Sequence, residues 1–152
     1  MLSSTRTKPM EILLVEDGWT DARVTIHALR RSQVHHRLSL VRTVSEALMF
    51  LRRESVFRLA PQPDLLLLDM NLPDGSGVDI LEAMQGMGDE ITKMTVVVLT
   101  ASDDEGIRRR CSELKVHDYI TKPVHEDKFM RVVREHKKWL IDSTPMLEGA
   151  LG

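Results

Sequence analysis

The stretch Pro63-Asp64-Leu65-Leu66-Leu67-Leu68-Asp69-Met70-Asn71-Leu72-Pro73 decides how this chain folds. Four leucines between two aspartates make too short a run for a helix, and the flanking prolines stop one from extending. The segment therefore predicts a strand buried on both faces. Its last residue is Asp69. A carboxylate where a buried strand meets a loop lies on the carboxyl edge of an open α/β sheet, the edge at which such sheets bind ligands and do chemistry.

The segments on either side repeat one theme. Upstream, residues 11–15 (Glu-Ile-Leu-Leu-Val) form a short apolar strand ending in Glu16-Asp17 and a Gly18 break, and apolar residues at helical spacing follow from Trp19 to about Gln33. Residues 38–41 alternate weakly, as a strand can. Thr43-Val44-Ser45-Glu46 is a capping-box pattern opening a helix to about Val56. Downstream, Ser76 is placed to cap a helix from Val78 through Met84, with Gly86 and Gly88 ending it. Thr95-Val96-Val97-Val98-Leu99 is the strongest strand, ending at Thr100. Ser102-Asp103-Asp104-Glu105 then caps a helix to about Leu114, and Asp118-Tyr119-Ile120-Thr121 is a strand leading into Lys122-Pro123. The last helix starts near Glu126 and carries Phe129, Val132, Val133, His136, Trp139 and Leu140 on one stripe. Alternating strands and helices predict a doubly wound α/β domain with a five-stranded parallel sheet and right-handed crossovers.

Composition narrows the function classes. The 152 residues suit one domain, divided as a polar leader over 1–9, a folded body over 10–140 and a tail over 141–152. With 21 Lys+Arg against 23 Asp+Glu, the net charge of −2 argues against binding nucleic acid or anionic membrane by bulk electrostatics. The single cysteine, Cys111, excludes an internal disulfide, and no apolar run is long enough to span a bilayer, so a cytoplasmic protein is expected. The six histidines read as surface or edge residues, and the Arg108-Arg109-Arg110 run reads as a solvated face.

The parallel topology gathers the strand ends Glu16-Asp17, Asp69, Thr100 and Lys122 on one edge. Three carboxylates without partners would raise one another's pKa, so the set calls for a cation. Hard oxygen donors without histidine or cysteine select magnesium or manganese over zinc. Lys122 and the Thr100 hydroxyl complete a cradle for a phosphoryl group. Asp69, alone on the central strand, is the carboxylate best placed to attack phosphorus, while Glu16 and Asp17 suit the metal.

The pattern Glu16-Asp17, Asp69, Thr100-Ala101, Tyr119 and Lys122-Pro123 resembles the receiver domain of two-component response regulators, the CheY family, over about residues 10 to 140. The resemblance implies a flavodoxin-like fold with strand order 2-1-3-4-5. It implies that Asp69 is phosphorylated by a histidine kinase, and that Asp17, Asp69 and the Asn71 backbone carbonyl ligate magnesium with Glu16 assisting. It also implies that Lys122 pairs with the phosphate, that Thr100 and Tyr119 form a switch pair, and that Lys122-Pro123 is a cis bond. Asn71-Leu72-Pro73 and the late Trp139-Leu140 further resemble phytochrome-associated single-domain regulators, which implies a bacterial phytochrome as kinase. A histidine phosphotransfer protein or effector would stand downstream, and a homodimer would pair through Trp139 and Leu140. Gly18-Trp19 departs from the usual small polar residue after the acidic pair and places an indole near the metal site. The alternative is an aspartyl-phosphate phosphohydrolase of the haloacid dehalogenase type. That chemistry needs a second acid two residues after the nucleophile, where this chain has Asn71, so an independent enzyme is not expected.

Overall fold

In the computed structural model, which describes residues 8–101 and 105–136, the leucine run forms a strand, β3 (Leu65–Asp69), every residue of which is buried. It is the middle of five parallel strands. The others are β1 (Met10–Val15), β2 (His36–Val41), β4 (Thr95–Thr100) and β5 (Asp118–Thr121), in the spatial order β2-β1-β3-β4-β5. The helices are α1 (Trp19–Arg31), α2 (Val44–Arg52), α3 (Gly77–Met84), α4 (Glu105–Arg110) and α5 (Glu126–Glu135). This is the doubly wound arrangement that the alternation of elements predicts, in the flavodoxin-like strand order that the resemblance implies.

The two-residue period of a strand divides the interior into two cores. Leu66 and Leu68, with Leu13, Val15, Val96 and Val98, face α2 and α3 through Ala47, Phe50, Leu51, Leu81 and Met84. Leu65 and Leu67, with Ile12, Leu14, Val97 and Leu99, face α1 and α5 through Ala22, Leu29, Phe129, Val132 and Val133. Leu65 to Leu68 have no exposed surface at all. Burying each such side chain contributes about 2 kcal/mol, an upper figure, against the entropy of ordering it.

Helix ends follow local chemistry more closely than the sequence pattern does. The Thr43 hydroxyl accepts the Glu46 N–H at 3.0 Å, while the Glu46 carboxylate reaches back to the N–H of Arg42 at 2.8 Å, one residue before the expected box partner. Asp74 accepts the remaining first-turn donors, the N–H groups of Val44 at 2.7 Å and Ser45 at 3.0 Å. Partial desolvation would raise the Asp74 pKa, but these backbone bonds outweigh it and hold the group below its ordinary value. α2 stops at Arg52, short of Val56, because Arg53 turns left-handed at φ 57° and returns its N–H to the Phe50 carbonyl. Ser76 caps α3 as expected, accepting from Val78 at 2.9 Å while Asp79 accepts from Ser76.

α4 ends at Arg110, four residues before the expected stop, and gives way to a turn in which the Leu114 N–H meets the Cys111 carbonyl. The proposed cap residues Ser102, Asp103 and Asp104 lie outside the described residues. Two further details escape pattern reading: the one-turn helix Asp89–Thr92, and a short ribbon in which Asn71 and Leu72 pair with Ser76 and Gly75. The histidines are not all surface residues either. His117 is half-buried, and its Nδ1 accepts the Val96 N–H at 2.9 Å, near the start of β4. Its depressed pKa comes first from desolvation and then from neighbouring His136 and Lys115. At the end of α5, His136 Nε2 lies 3.0 Å from Asp118, which Arg131 also grips with both terminal nitrogens. Among the described residues no helix is long and apolar enough to cross a membrane.

Gly77, the first residue of α3, sits where a side chain has no room. A Cβ there would collide with the terminal methyl of Met70 and stand 2.8 Å from the Asp69 carbonyl oxygen. The methyl can turn away, but the carbonyl cannot move without shifting the end of β3. Gly77→Ala is therefore expected to destabilise the fold by about 1–3 kcal/mol, read as a lowered urea midpoint; an unchanged midpoint would contradict this packing.

Candidate functional site

β1, β3 and β4 end at the same edge, and β5 delivers Lys122 to it. Glu16, the residue after β1, is 2 % exposed; its N–H donates to Val41 across the sheet, and its Oε2 accepts the Gly18 N–H at 3.2 Å. Asp69, the last residue of β3, is 5 % exposed, and its Oδ1 accepts the Asn71 N–H at 3.3 Å. The Lys122 ammonium lies 2.9 Å from Glu16 Oε1, 3.1 Å from Asp21 Oδ2 and 3.3 Å from Asp69 Oδ1. The sequence reading brought Glu16, Asp69 and Lys122 together but not Asp21, which sits in the first turn of α1 and reads there as an ordinary partner of the helix dipole.

Burial dominates the electrostatics of this edge. Desolvation pushes the Glu16 carboxyl up to about 7, with Asp69 adding to the rise and Lys122 opposing it. Burial works against the Lys122 charge as well, yet Glu16, Asp69 and Asp21 together outweigh it and hold the ammonium above its ordinary pKa.

Glu16, Asp17 and Asp69 each offer one carboxylate oxygen, all within 4.8 Å of one another. Glu16 Oε1 is sealed from solvent without a well-angled hydrogen bond, its contact with Lys122 being an ion pair. A buried oxygen left in that condition, within a set made only of carboxylates, fits a hard divalent cation such as magnesium or manganese. Asp118, Glu135 and His136 also lie close together, but Arg131 already occupies both Asp118 oxygens.

The flanking elements hold this edge in shape. Arg42, after β2, donates to the Asp17 carbonyl at 2.7 Å and stacks its guanidinium 4.2 Å from the centre of the Trp19 ring. The indole beside the acidic pair is thus engaged by an arginine while remaining 60 % exposed. Nothing in the sequence pattern joined Arg42 to Trp19, because only the sheet places them side by side. The Lys122–Pro123 peptide is cis, the Lys122 N–H donates to the Thr100 carbonyl at 2.7 Å, and the Lys128 ammonium donates to the carbonyls of Thr121 and Pro123.

Thr100 ends β4 and is 5 % exposed. Tyr119 is half-buried on β5 with the Arg108 guanidinium 4.3 Å from its ring centre, so one member of the arginine run is engaged with the fold. Desolvation raises the pKa of both Tyr119 and Cys111, whose polar atoms adjoin. Asn71 opens the short ribbon after Asp69. Trp139 and Leu140 lie outside the described residues.

This arrangement has known counterparts. The family model of the response regulator receiver domain matches residues 12–134. Response regulator Rcp1 of Synechocystis sp. is 34 % identical over 140 residues, 91 % of this chain and 95 % of Rcp1. The manganese-bound form of Rcp1 superposes with a TM-score of 0.72 at 34 % identity, over 87 % of this chain and 95 % of that one. The bacteriophytochrome response regulator RtBRR superposes with a TM-score of 0.76 at 33 % identity, over 84 % of this chain and 78 % of that one. For the phosphorylated cyanobacterial phytochrome response regulator RcpA the TM-score is 0.73 at 33 % identity, over 88 % and 95 % of the two chains. With the family model covering residues 12–134 and Rcp1 34 % identical over 95 % of its own length, the chain belongs to the response regulator receiver family of two-component signalling, as a CheY-like member resembling the phytochrome-associated regulators.

Proposed function

We propose that Asp69 is the phosphoacceptor of this receiver, loaded by a histidine kinase. The observation that carries the reading is the position of Asp69 Oδ1, on the buried end of the central strand and 3.3 Å from the Lys122 ammonium. A carboxylate oxygen of Asp69 attacks phosphorus, the phosphorus–nitrogen bond of the kinase phosphohistidine breaks, and its electron pair stays with the imidazole. Lys122 offsets the charge that spreads over the phosphoryl oxygens. Asp17, Asp69 and the Asn71 carbonyl would hold magnesium with Glu16 assisting, and manganese suits the same donors. That ion supplies Lewis-acid neutralisation of the phosphoryl charge. Later attack by water on phosphorus releases phosphate and restores Asp69, so the domain turns over its own phosphoryl group and no independent substrate.

The similarity to regulators named for phytochromes supports a bacterial phytochrome as the kinase, with a histidine phosphotransfer protein or effector downstream. The net charge of −2 supports neither a nucleic-acid nor a membrane partner, and the single cysteine, Cys111, fits a cytoplasmic protein. Acetyl phosphate with magnesium is expected to label the wild type, whereas Asp69→Asn and removal of divalent ions with a chelator each lower the label by roughly a hundredfold or more. Equal labelling of Asp69→Asn on a mass spectrum would refute the assignment.

Thr100 and Tyr119 are proposed to carry the change outward. A phosphoryl group on Asp69 gives the Thr100 hydroxyl a new acceptor, and movement of that loop opens space into which Tyr119 turns. The Arg108 stack on Tyr119 would then be rearranged. Phosphorylation is expected to alter amide hydrogen exchange over 105–110 and 118–121, and unaltered rates at both segments would contradict the coupling.

We also infer a homodimer with the C-terminal arm, residues 141–152, and Trp139 and Leu140 at its interface. Phe129, Val132 and Val133 already supply the buried stripe of α5 beneath the sheet. The further indole and aliphatic chains after them suit a contact between subunits, where tryptophan contributes heavily. Because a two-fold interface uses each contact twice, Trp139→Ala should weaken it by more than one contact's worth. Sedimentation at tens of micromolar is expected to show a wild-type dimer and a mutant shifted toward monomer; a wild-type monomer would exclude it.

A further inference from the structure

The acids around Lys122 are not equivalent. Glu16 and Asp69 belong to the trio whose oxygens converge closely enough to share a cation, and Asp21 does not. Asp21 stands on the first turn of α1 with its side chain 51 % exposed, and it receives a directed hydrogen bond of 3.1 Å from the Lys122 ammonium. The contacts to Glu16 at 2.9 Å and to Asp69 at 3.3 Å are ion pairs within the buried edge.

Adding charges to this site separates the two kinds of acid further. An ammonium has three N–H donors, and three carboxylates surround this one. A divalent cation would offset most of the charge of Glu16, Asp17 and Asp69 but leave the Asp21 charge intact. A phosphoryl group on Asp69 would then bring new oxygens that need a donor from the same nitrogen. Asp21 is the acid that still pulls Lys122 away from them, from the side of α1.

We propose that Asp21 is a positioning residue that tethers Lys122 and competes with the phosphoryl group on Asp69 for its ammonium. This rests on Asp69 being the phosphoacceptor. The tether holds the lysine side chain in place before loading and lowers the affinity of the loaded state by the strength of one half-exposed ion pair. Removing its charge therefore tightens the phosphorylated state, whereas loss of a merely structural support would loosen it.

The test is a titration of the full chain with beryllium trifluoride and magnesium, followed by fluorine NMR. Beryllium trifluoride bonds to a carboxylate as a tetrahedral copy of a phosphoryl group. Asp21→Asn keeps a hydrogen-bond acceptor without the charge, and Asp21→Ser removes the carboxyl and leaves a small polar side chain in the first turn of α1. Both are expected to bind roughly two- to fivefold more tightly than the wild type, the scale of a partly exposed ion pair. Asp21→Glu, which restores the charge, is expected to return the affinity toward that of the wild type. Unchanged or weaker binding in both neutral variants overturns the tether while leaving Asp69 as the acceptor. A wild type that binds no beryllium trifluoride overturns the Asp69 assignment and the tether with it.

Discussion

A single ammonium surrounded by carboxylates is the constraint on which the rest of this structure depends. Lys122 reaches the carboxyl edge from β5, and its contacts with Glu16 and Asp69 bridge to β1 and β3. The acids would repel one another without it, and the lysine would be too costly to bury without them. Neither side of this pairing is stable alone. The buried apolar strands provide the low-dielectric surroundings in which it is strong, and the same surroundings lift the Glu16 carboxyl toward neutrality.

Much of this was legible in the chain because buried strands write themselves plainly. Leu65 to Leu68 and Val96 to Leu99 are continuous apolar runs, and a parallel sheet covered on both faces buries such runs completely. Once five strands alternate with helices, their C-terminal ends must share an edge, so Glu16, Asp17, Asp69, Thr100 and Lys122 could be gathered from spacing alone.

What the chain did not disclose are contacts made by residues with good local explanations of their own. Asp21 reads as an acid at a helix start and Asp74 as a turn residue, and each does that work, while Arg42 sits in the connection after β2 with no pattern to mark it. Their partners, Lys122, Asp17 with Trp19, and the N–H groups of α2, are distant in sequence and adjacent only in the fold. The helix ends were misplaced for a related reason. Arg53 takes a left-handed conformation that glycine or asparagine would have advertised, and the Cys111 turn closes α4 with no breaker in the sequence.

The Asp74 contact has a mechanical meaning. It fastens the loop that follows the phosphoacceptor to the start of α2, so displacing that loop would strip two N–H groups of the helix of their acceptor. The opposite flank is held differently: among the described residues of α4, Glu105–Arg110, none is fully buried. The tip of β3 is thus tied by directed backbone hydrogen bonds toward α2, and on the α4 side it is flanked by a helix with no buried residue among those described. A symmetric-looking sandwich is in this way given a direction in which to yield.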